Sequence, residues 1–352
     1  MARTMNSRER AFAAFAFEKV DRPPIWQADS PVLVIYDVSF ADLFAMEDIG
    51  AGLTIDSCEK TYSDVITVGN GAWLGWLNAF GCSLDMSNIR APIDVCACIK
   101  DANTDIPKLD KSNIKDQIAA NEICQKILMQ VRIIKERVGD EKAVQFVTGG
   151  PFTLACIMVG TEEMMMLLAE EDKNIPHLFD FTATAAAEMC NQMLESGCDV
   201  IFTAEPNTSA DLISQKMFEE VAAPSIKSFN AQLKNCKYHC IHICGQSTPR
   251  IDSLMDMGLS AMSVDAIVDI KTAMDKTVKR MSMMGNLSPT DVLLDSSPDE
   301  VYKQAMDLVL YAGLDRGYFM MPGCDLAPGT PIENIDAMYN ATCDAAAKLY
   351  NL

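Results

Sequence analysis

Basic side chains are scarce in this chain of 352 residues, in which 29 Lys and Arg stand against 49 Asp and Glu. The resulting net charge of −20 repels nucleic-acid phosphates and anionic membranes alike, so the composition excludes both as direct partners. Long apolar runs are missing as well. No stretch reaches the roughly 18 consecutive apolar residues that a transmembrane helix needs, so no membrane-spanning segment is expected.

The N-terminal residues lack the unbroken apolar core and the small-residue cleavage site of a signal peptide. Residues 1–22 instead mix Phe and Ala with charges, a pattern that predicts a surface helix capped near Ser7. We therefore expect an N-terminal helical extension in a cytoplasmic protein. Its 13 cysteines would then be thiols or metal ligands rather than disulfides, and its 23 methionines would suit an anaerobic cytoplasm.

Short apolar runs alternate with amphipathic helical patterns along the chain, which is typical of parallel βαβ units. The runs are 23–27, 143–151, 198–206, 237–245, 259–266, 279–289 and 316–324, with a further candidate at 63–69. About eight such units predict an α/β fold, a single (β/α)8 TIM barrel that spans residues 1–352 as one domain.

The segment 69–93 fits no helix of this repeating unit and predicts an inserted hairpin or lid. Its aromatic residues Trp73, Trp76 and Phe80 would line an apolar pocket or form the insertion's own small core.

Five of the predicted strands end in polar or otherwise chemically distinctive residues. In a barrel, the carboxyl ends of all strands meet at one mouth, where active sites are built. The sequence therefore predicts that one site gathers Glu205, Cys244, Asp265, Asn286 and Cys324.

Only three histidines occur, at positions 177, 239 and 242, and two of them stand beside cysteines in "YHCIHICGQ". In a strand, residues two apart share a face, so His242 and Cys244 point the same way, as half of a zinc site would require. His239 faces the opposite way and is expected to be a satisfied core residue. His177 is expected at a helix start, and most cysteines are expected in the core.

A third zinc ligand must come from another strand, and Cys324 at the end of the last run is the candidate. Asp265 closes the strand after Cys244 and would supply a fourth, hard ligand. Two alternatives stay open at this point. Asp265 is equally suited to hydrogen-bond His242, and Glu205, before Pro206, is equally suited to cap a loop.

Three C-terminal segments resemble the uroporphyrinogen decarboxylase superfamily in sequence and spacing. They begin "GCDVIFTAEP" at Gly197, "MGNLSP" at Met284 and "MPGCDLAPGTP" at Met321. The arrangement of His242, Cys244 and Cys324 resembles that of the corrinoid methyltransferase branch, which includes methylcobamide:coenzyme M methyltransferases and related demethylating enzymes.

The resemblance implies a zinc-dependent enzyme that moves a methyl group between a methylcobamide on a partner protein and a substrate, above all a thiol such as coenzyme M. Transfer in the other direction, or to a tetrahydrofolate-type acceptor, is an alternative. Catalytic roles are expected for Asp265 and Glu205, corrinoid binding for Asn286, and substrate binding for Trp26 and Gln27. The corrinoid must come on a partner, because none of the three histidines lies in an Asp-x-His-x-x-Gly motif.

Two further hypotheses use the same architecture. A decarboxylase-type lyase needs a cationic pocket for its anionic substrate, but no arginine lies between Arg22 and Arg90, and the segment between them carries Asp29 and Asp37. The third hypothesis is a non-catalytic barrel that binds a corrinoid protein and whose cysteines are structural.

Overall fold

The structure, a computed structural model, describes residues 4–27, 31–36, 38, 43, 47–68, 75–85 and 94–351. Seven strands of this part form one parallel sheet in chain order. They are β1 (Val65–Val68), β4 (Ala143–Gly149), β5 (Val200–Ala204), β6 (Tyr238–Ile243), β7 (Ala261–Val264), β8 (Ser282–Met284) and β9 (Tyr318–Phe319). Two more strands, β2 (Ser83–Asp85) and β3 (Asp94–Cys96), pair with each other outside this sheet.

The run 23–27 takes the eighth position, between β9 and β1. Trp26 N–H donates to the carbonyl of Met320 at 3.0 Å, and Asp64 N–H donates to the carbonyl of Ile25 at 2.8 Å. Because Pro23 and Pro24 have no N–H groups, this run forms only an isolated bridge to Met320 rather than a full ladder. The predicted α/β barrel is confirmed, with a prolyl segment in place of a regular eighth strand.

Helices connect the strands and cover the barrel's outside. They are α1 (Ser7–Phe15), α2 (Pro31–Ile35), α3 (Glu47–Lys60), α4 (Ala102–Asp105), α5 (Ile114–Ala120), α6 (Glu122–Val138), α7 (Pro151–Val159), α8 (Thr161–Ala169), α9 (Ile175–Glu195), α10 (Gln215–Met217), α11 (Ala223–Gln232), α12 (Ile251–Met255), α13 (Ile270–Thr277), α14 (Pro298–Ala312) and α15 (Ile332–Tyr350). Ser297 caps α14, since its side chain accepts a hydrogen bond from Glu300 N–H.

Helix α1 lies against the amino-terminal end of the barrel, with Ala11 and Phe15 buried on one face and Glu9 exposed on the other. It begins at Ser7 with Asn6 as its cap, next to the predicted position, and a capping box with Glu9 completes its start. The face that includes Ala11 and Phe15 packs into the barrel interior, where Phe15 stacks on Tyr238 at 4.5 Å between ring centroids. The extension thus closes the barrel end opposite the predicted mouth.

The predicted insertion 69–93 is described only over residues 75–85. Strand β2 in this part pairs antiparallel with β3, and the inserted hairpin or lid stays a prediction. Trp76 is fully buried and donates from Nε1 to Thr148 Oγ1 at 3.0 Å, while Phe80 makes an edge contact with Phe181. These two aromatic residues anchor the insertion on the barrel; Trp73 lies outside the described residues.

No single helix within the described ranges has the length and hydropathy to cross a bilayer. Helices α7 and α8 meet that criterion only as a pair, and they bend by 106° at Gly160.

Candidate metal centre

The donor atoms of His242, Cys244 and Cys324 converge at the carboxyl ends of the strands. One nitrogen of the imidazole and the two sulfurs all lie within 4.8 Å of one another. His242 Nε2 is 3.1 Å from Cys244 Sγ, as expected for neighbours two apart in β6. Cys324 reaches the pair because the segment after β9 ends at the same mouth.

Two thiols and an imidazole this close form the donor set that zinc prefers in proteins. Ligand atoms of a tetrahedral zinc are about 3.5–3.8 Å apart, given Zn–S and Zn–N bonds of about 2.3 and 2.0 Å. The three donors therefore lie close enough together to bind one such ion.

The surroundings move the pKa values of the two thiols in opposite directions. Cys244 and His242 form hydrogen bonds that lower the pKa of the Cys324 thiol, although burial opposes this effect. The hydrogen bond with Cys324 and burial raise the pKa of Cys244, and the carboxylates of Asp265 and Asp325 add to that rise. These surroundings favour the thiolate of Cys324 over that of Cys244, and the thiolate is the form in which cysteine binds metal.

The turn after Cys244 is held by two carboxylates from neighbouring loops. Gly245 N–H donates to Asp265 Oδ2 at 2.9 Å, and Gln246 N–H donates to Asp211 Oδ2 at 2.8 Å. Gly245 has a φ of +65°, and a Cβ built there would lie 2.3 Å from Asp211 Oδ2. The glycine therefore allows both the left-handed backbone and the close approach of Asp211.

The structure places Asp265 beside the three donors but outside the group in which all donor atoms lie within 4.8 Å. Besides the bond from Gly245, it accepts one from Ile267 N–H at Oδ1, at 3.2 Å. Asn286 donates from its side-chain amide to the carbonyls of Asp265 and Val268, at 2.9 and 2.8 Å. Asn286 thus fixes the loop that carries Asp265, while its role in corrinoid binding stays a prediction.

Glu205 is fully buried and caps the start of α7. Its carboxylate accepts hydrogen bonds from Phe152 N–H at 3.1 Å and Thr153 N–H at 2.8 Å. Burial raises its pKa to about 7, although the bonds from Thr153 and Phe152 lower it. A Cβ at Gly150 would lie 2.2 Å from Glu205 Oε1, so only glycine fits there. These contacts agree with the alternative in which Glu205 has a capping role. A catalytic role for Glu205 stays a prediction.

Trp26 and Gln27 are both buried. The Trp26 ring packs inside the barrel against Phe319 and Phe15, with centroids at 5.5 and 6.0 Å. Gln27 donates from Nε2 to the carbonyl of Thr61 at 3.4 Å, and its Oε1 has no partner among the described residues. Neither contact involves the three metal-ligand candidates, and substrate binding by these residues stays a prediction.

The other two histidines lie where the sequence predicted. His239 is a buried, satisfied residue on the outer face of β6, with Nε2 2.9 Å from Thr203 Oγ1 and Nδ1 3.1 Å from Asn230 Oδ1. His177 lies in the first turn of α9.

Arg22 is bound at the barrel's amino-terminal side, where its guanidinium pairs with buried Asp64 at 2.7 Å. It is therefore not directed at the mouth. Asp29, Asp37 and Arg90 lie outside the described residues.

Sequence reasoning missed Ser263, whose Oγ lies 3.0 Å from His242 Nδ1. The signal was available, because Ser263 stands two residues before Asp265 and therefore shares its face of β7. It also missed Asp211, whose contact with Gln246 depends on how the loops after β5 and β6 meet, which no local pattern encodes.

Comparison with known proteins adds four findings. A family model described as "Uroporphyrinogen decarboxylase (URO-D)" matches residues 6–344. The methylcobamide:CoM methyltransferase MtbA of Methanosarcina mazei is 32% identical over 260 residues, 74% of each chain. MtaA of Methanosarcina barkeri, which has the same description, is 27% identical over 264 residues, 75% of each chain. A solved methyltransferase from Methanosarcina mazei superposes with a TM-score of 0.82 at 24% identity, covering 98% of this chain and 99% of the other.

Proposed function

This chain belongs to the uroporphyrinogen decarboxylase family, and from that membership we propose that it is a zinc-dependent methyltransferase acting on a corrinoid. In this proposal it moves a methyl group between a methylcobamide, carried by a partner protein, and a small thiol such as coenzyme M. The observation that carries the proposal is the convergence of His242, Cys244 and Cys324 within 4.8 Å at the barrel mouth. Support also comes from relatives whose names specify transfer between methylcobamide and CoM.

His242, Cys244 and Cys324 would hold the zinc ion, and three protein ligands leave one position open, as in catalytic zinc sites. Zinc, when bound, supplies the positive charge that lowers the pKa of a substrate thiol so that it is a thiolate near neutral pH. The protein's own groups position the ligands. Asp265 and Asp211 fix the turn that presents Cys244, through the amides of Gly245 and Gln246.

The proposed reaction is a displacement at the methyl carbon. The substrate sulfur gains the methyl group, the electron pair of the cobalt–carbon bond stays with cobalt, and methylcob(III)amide becomes cob(I)amide. The thiol proton is released to solvent. A deeply buried mouth would exclude a large corrinoid, but Cys244 and Cys324 are only partly buried, which leaves them within reach.

The same centre would serve demethylation of a substrate toward cob(I)amide, or transfer to a tetrahydrofolate-type acceptor. The position of Asp265, next to the donors but bound to two amides, leads us to propose it as the fourth ligand of the resting enzyme, displaced when the substrate binds. We retain catalytic support from Glu205 and corrinoid contact by Asn286 in the proposal. Substrate contact by Trp26 and Gln27 remains part of it as well.

We further propose that the chain is one barrel domain in the cytoplasm. All thirteen cysteines are free thiols, which accords with a reducing compartment. The decarboxylase alternative gains no support from Arg22, because that side chain is paired with Asp64.

Metal analysis of anaerobically purified protein tests the proposed centre. About one zinc per chain is expected. Protein that folds normally and contains no bound metal after zinc reconstitution would favour the lyase or the non-catalytic alternative.

A further inference from the structure

We propose that Ser263 is a positioning residue of the metal centre, which holds the imidazole of His242 in the tautomer and orientation that bind zinc through Nε2. This inference rests on the proposed function, because it assigns a task within the proposed zinc site.

Ser263 and His242 are register partners in the ladder between β6 and β7. Ser263 Oγ lies 3.0 Å from His242 Nδ1, and the Ser263 side chain is fully buried. The other ring nitrogen, Nε2, lies 3.1 Å from Cys244 Sγ. The imidazole thus presents one nitrogen to the serine and the other to the cysteine pair, and the strand register fixes this division.

A third residue favours one direction of this hydrogen bond, and that direction is part of the proposal. The hydroxyl of Ser263 donates to the sulfur of Met321, at an oxygen–sulfur distance of 3.8 Å. The Ser263 oxygen then accepts a hydrogen bond from the Nδ1–H of His242. A neutral imidazole protonated at Nδ1 keeps its lone pair on Nε2, the atom that faces the thiols.

The contact also joins the segments that deliver the three donors. Met321 precedes Cys324 by three positions, so the series Met321, Ser263, His242 runs from the segment after β9 to β6. Partners that hold a metal-bound histidine in this way are worth about 10–100-fold in metal affinity in other proteins. We expect Ser263 to contribute within that range.

The test compares zinc affinity, measured by chelator competition on anaerobic apoprotein, for the wild type and Ser263→Ala. The matched control is Ser282→Ala, since Ser282 is an equally buried serine on β8 whose hydroxyl has no partner among the described residues. Ser263→Ala should bind zinc about 10–100-fold more weakly, and its cobalt(II) derivative should have a changed absorption spectrum. Ser282→Ala should retain wild-type affinity. Ser263→Thr, which keeps the hydroxyl, should regain most of the lost affinity.

Wild-type affinity and an unchanged cobalt spectrum in Ser263→Ala would overturn the inference. A loss that Ser263→Thr does not reverse would also overturn it, because the hydroxyl would then not be the cause. If Ser263→Ala does not fold, Met321→Leu takes its place, and unaltered zinc affinity in that variant would contradict the proposed series of bonds. Absence of zinc binding by the wild type would instead refute the proposed function itself.

Discussion

Cys244 and Cys324 lie at the ends of β6 and β9, with two strands between them, yet their sulfurs are within 4.8 Å of each other. A barrel brings such strand ends together, whereas an open sheet would separate them by about 4.8 Å per intervening strand. This pair is what makes a zinc site possible in a chain with only three histidines.

Replacing Cys244 or Cys324 with Ala should reduce bound zinc from about one per chain to near zero and abolish methyl transfer, because two donors hold zinc poorly. Circular dichroism should show most secondary structure retained, since both thiols lie at the mouth rather than in the core. Cys343→Ala, on α15 away from the site, is the control and should keep zinc and activity. A normally active, zinc-replete Cys324→Ala would remove that residue from the ligand set.

Gly245 and Gly258 form a matched pair, because both have positive φ, +65° and +74°, but only Gly245 has atoms within 4 Å of an added Cβ. Gly258→Ala should lower the free energy of unfolding by about 1–2 kcal/mol, because it adds only the strain of a left-handed backbone at a residue with a Cβ. It should leave zinc binding unchanged. Gly245→Ala should lose more stability and also bind zinc more weakly, because the new Cβ displaces Asp211 and with it the Cys244 turn. Equal effects of the two substitutions on zinc affinity, measured by chelator competition, would show that the turn does not position Cys244.

Glu205 should make stability depend on pH. Its folded pKa, about 7, lies above the ordinary value of 4.5 because the carboxyl is buried. The folded state therefore binds the proton more tightly, and the stability contribution present below about pH 4.5 is lost as pH rises through 7. Across this window the free energy of unfolding of the wild type should fall relative to that of Glu205→Gln by up to about 3 kcal/mol, because the folded pKa is about 7 and the ordinary value is 4.5.

Urea unfolding of both proteins between pH 5 and 8 measures that difference. A constant difference between wild type and Glu205→Gln across the range would show that the carboxyl has an ordinary pKa in the folded protein.

Asp265 is tested by X-ray absorption at the zinc edge. If it is the fourth ligand, adding the thiol substrate to the wild type should replace one oxygen neighbour with sulfur. The resting Asp265→Ala variant should lack that oxygen. An oxygen signal that is the same in the resting variant and the resting wild type would assign the position to water.

The sequence predicted the parts of this site that depend on local periodicity. Alternation along β6 placed His242 and Cys244 on one face and His239 on the other, and strand ends supplied Cys324. It could not predict which surface α1 covers, because the mixture of Ala and Phe with charges indicates a buried face but not what that face packs against. The cap that Glu205 provides to α7 depends on two loops meeting in space, as does the contact between Asp211 and Gln246.

We propose that this barrel uses a zinc centre of His242, Cys244 and Cys324 to transfer methyl groups between a corrinoid and a thiol. Anaerobic assay of the pure protein with free methylcobalamin and a panel of thiols tests it most directly, by following the absorbance of cob(I)alamin before and after removal and return of zinc. Cob(I)alamin should form with at least one thiol, and this activity should be lost on chelation and restored by zinc. Cob(I)alamin formation at the same rate in the zinc-free protein, or none with any thiol in the zinc-loaded protein, would contradict it.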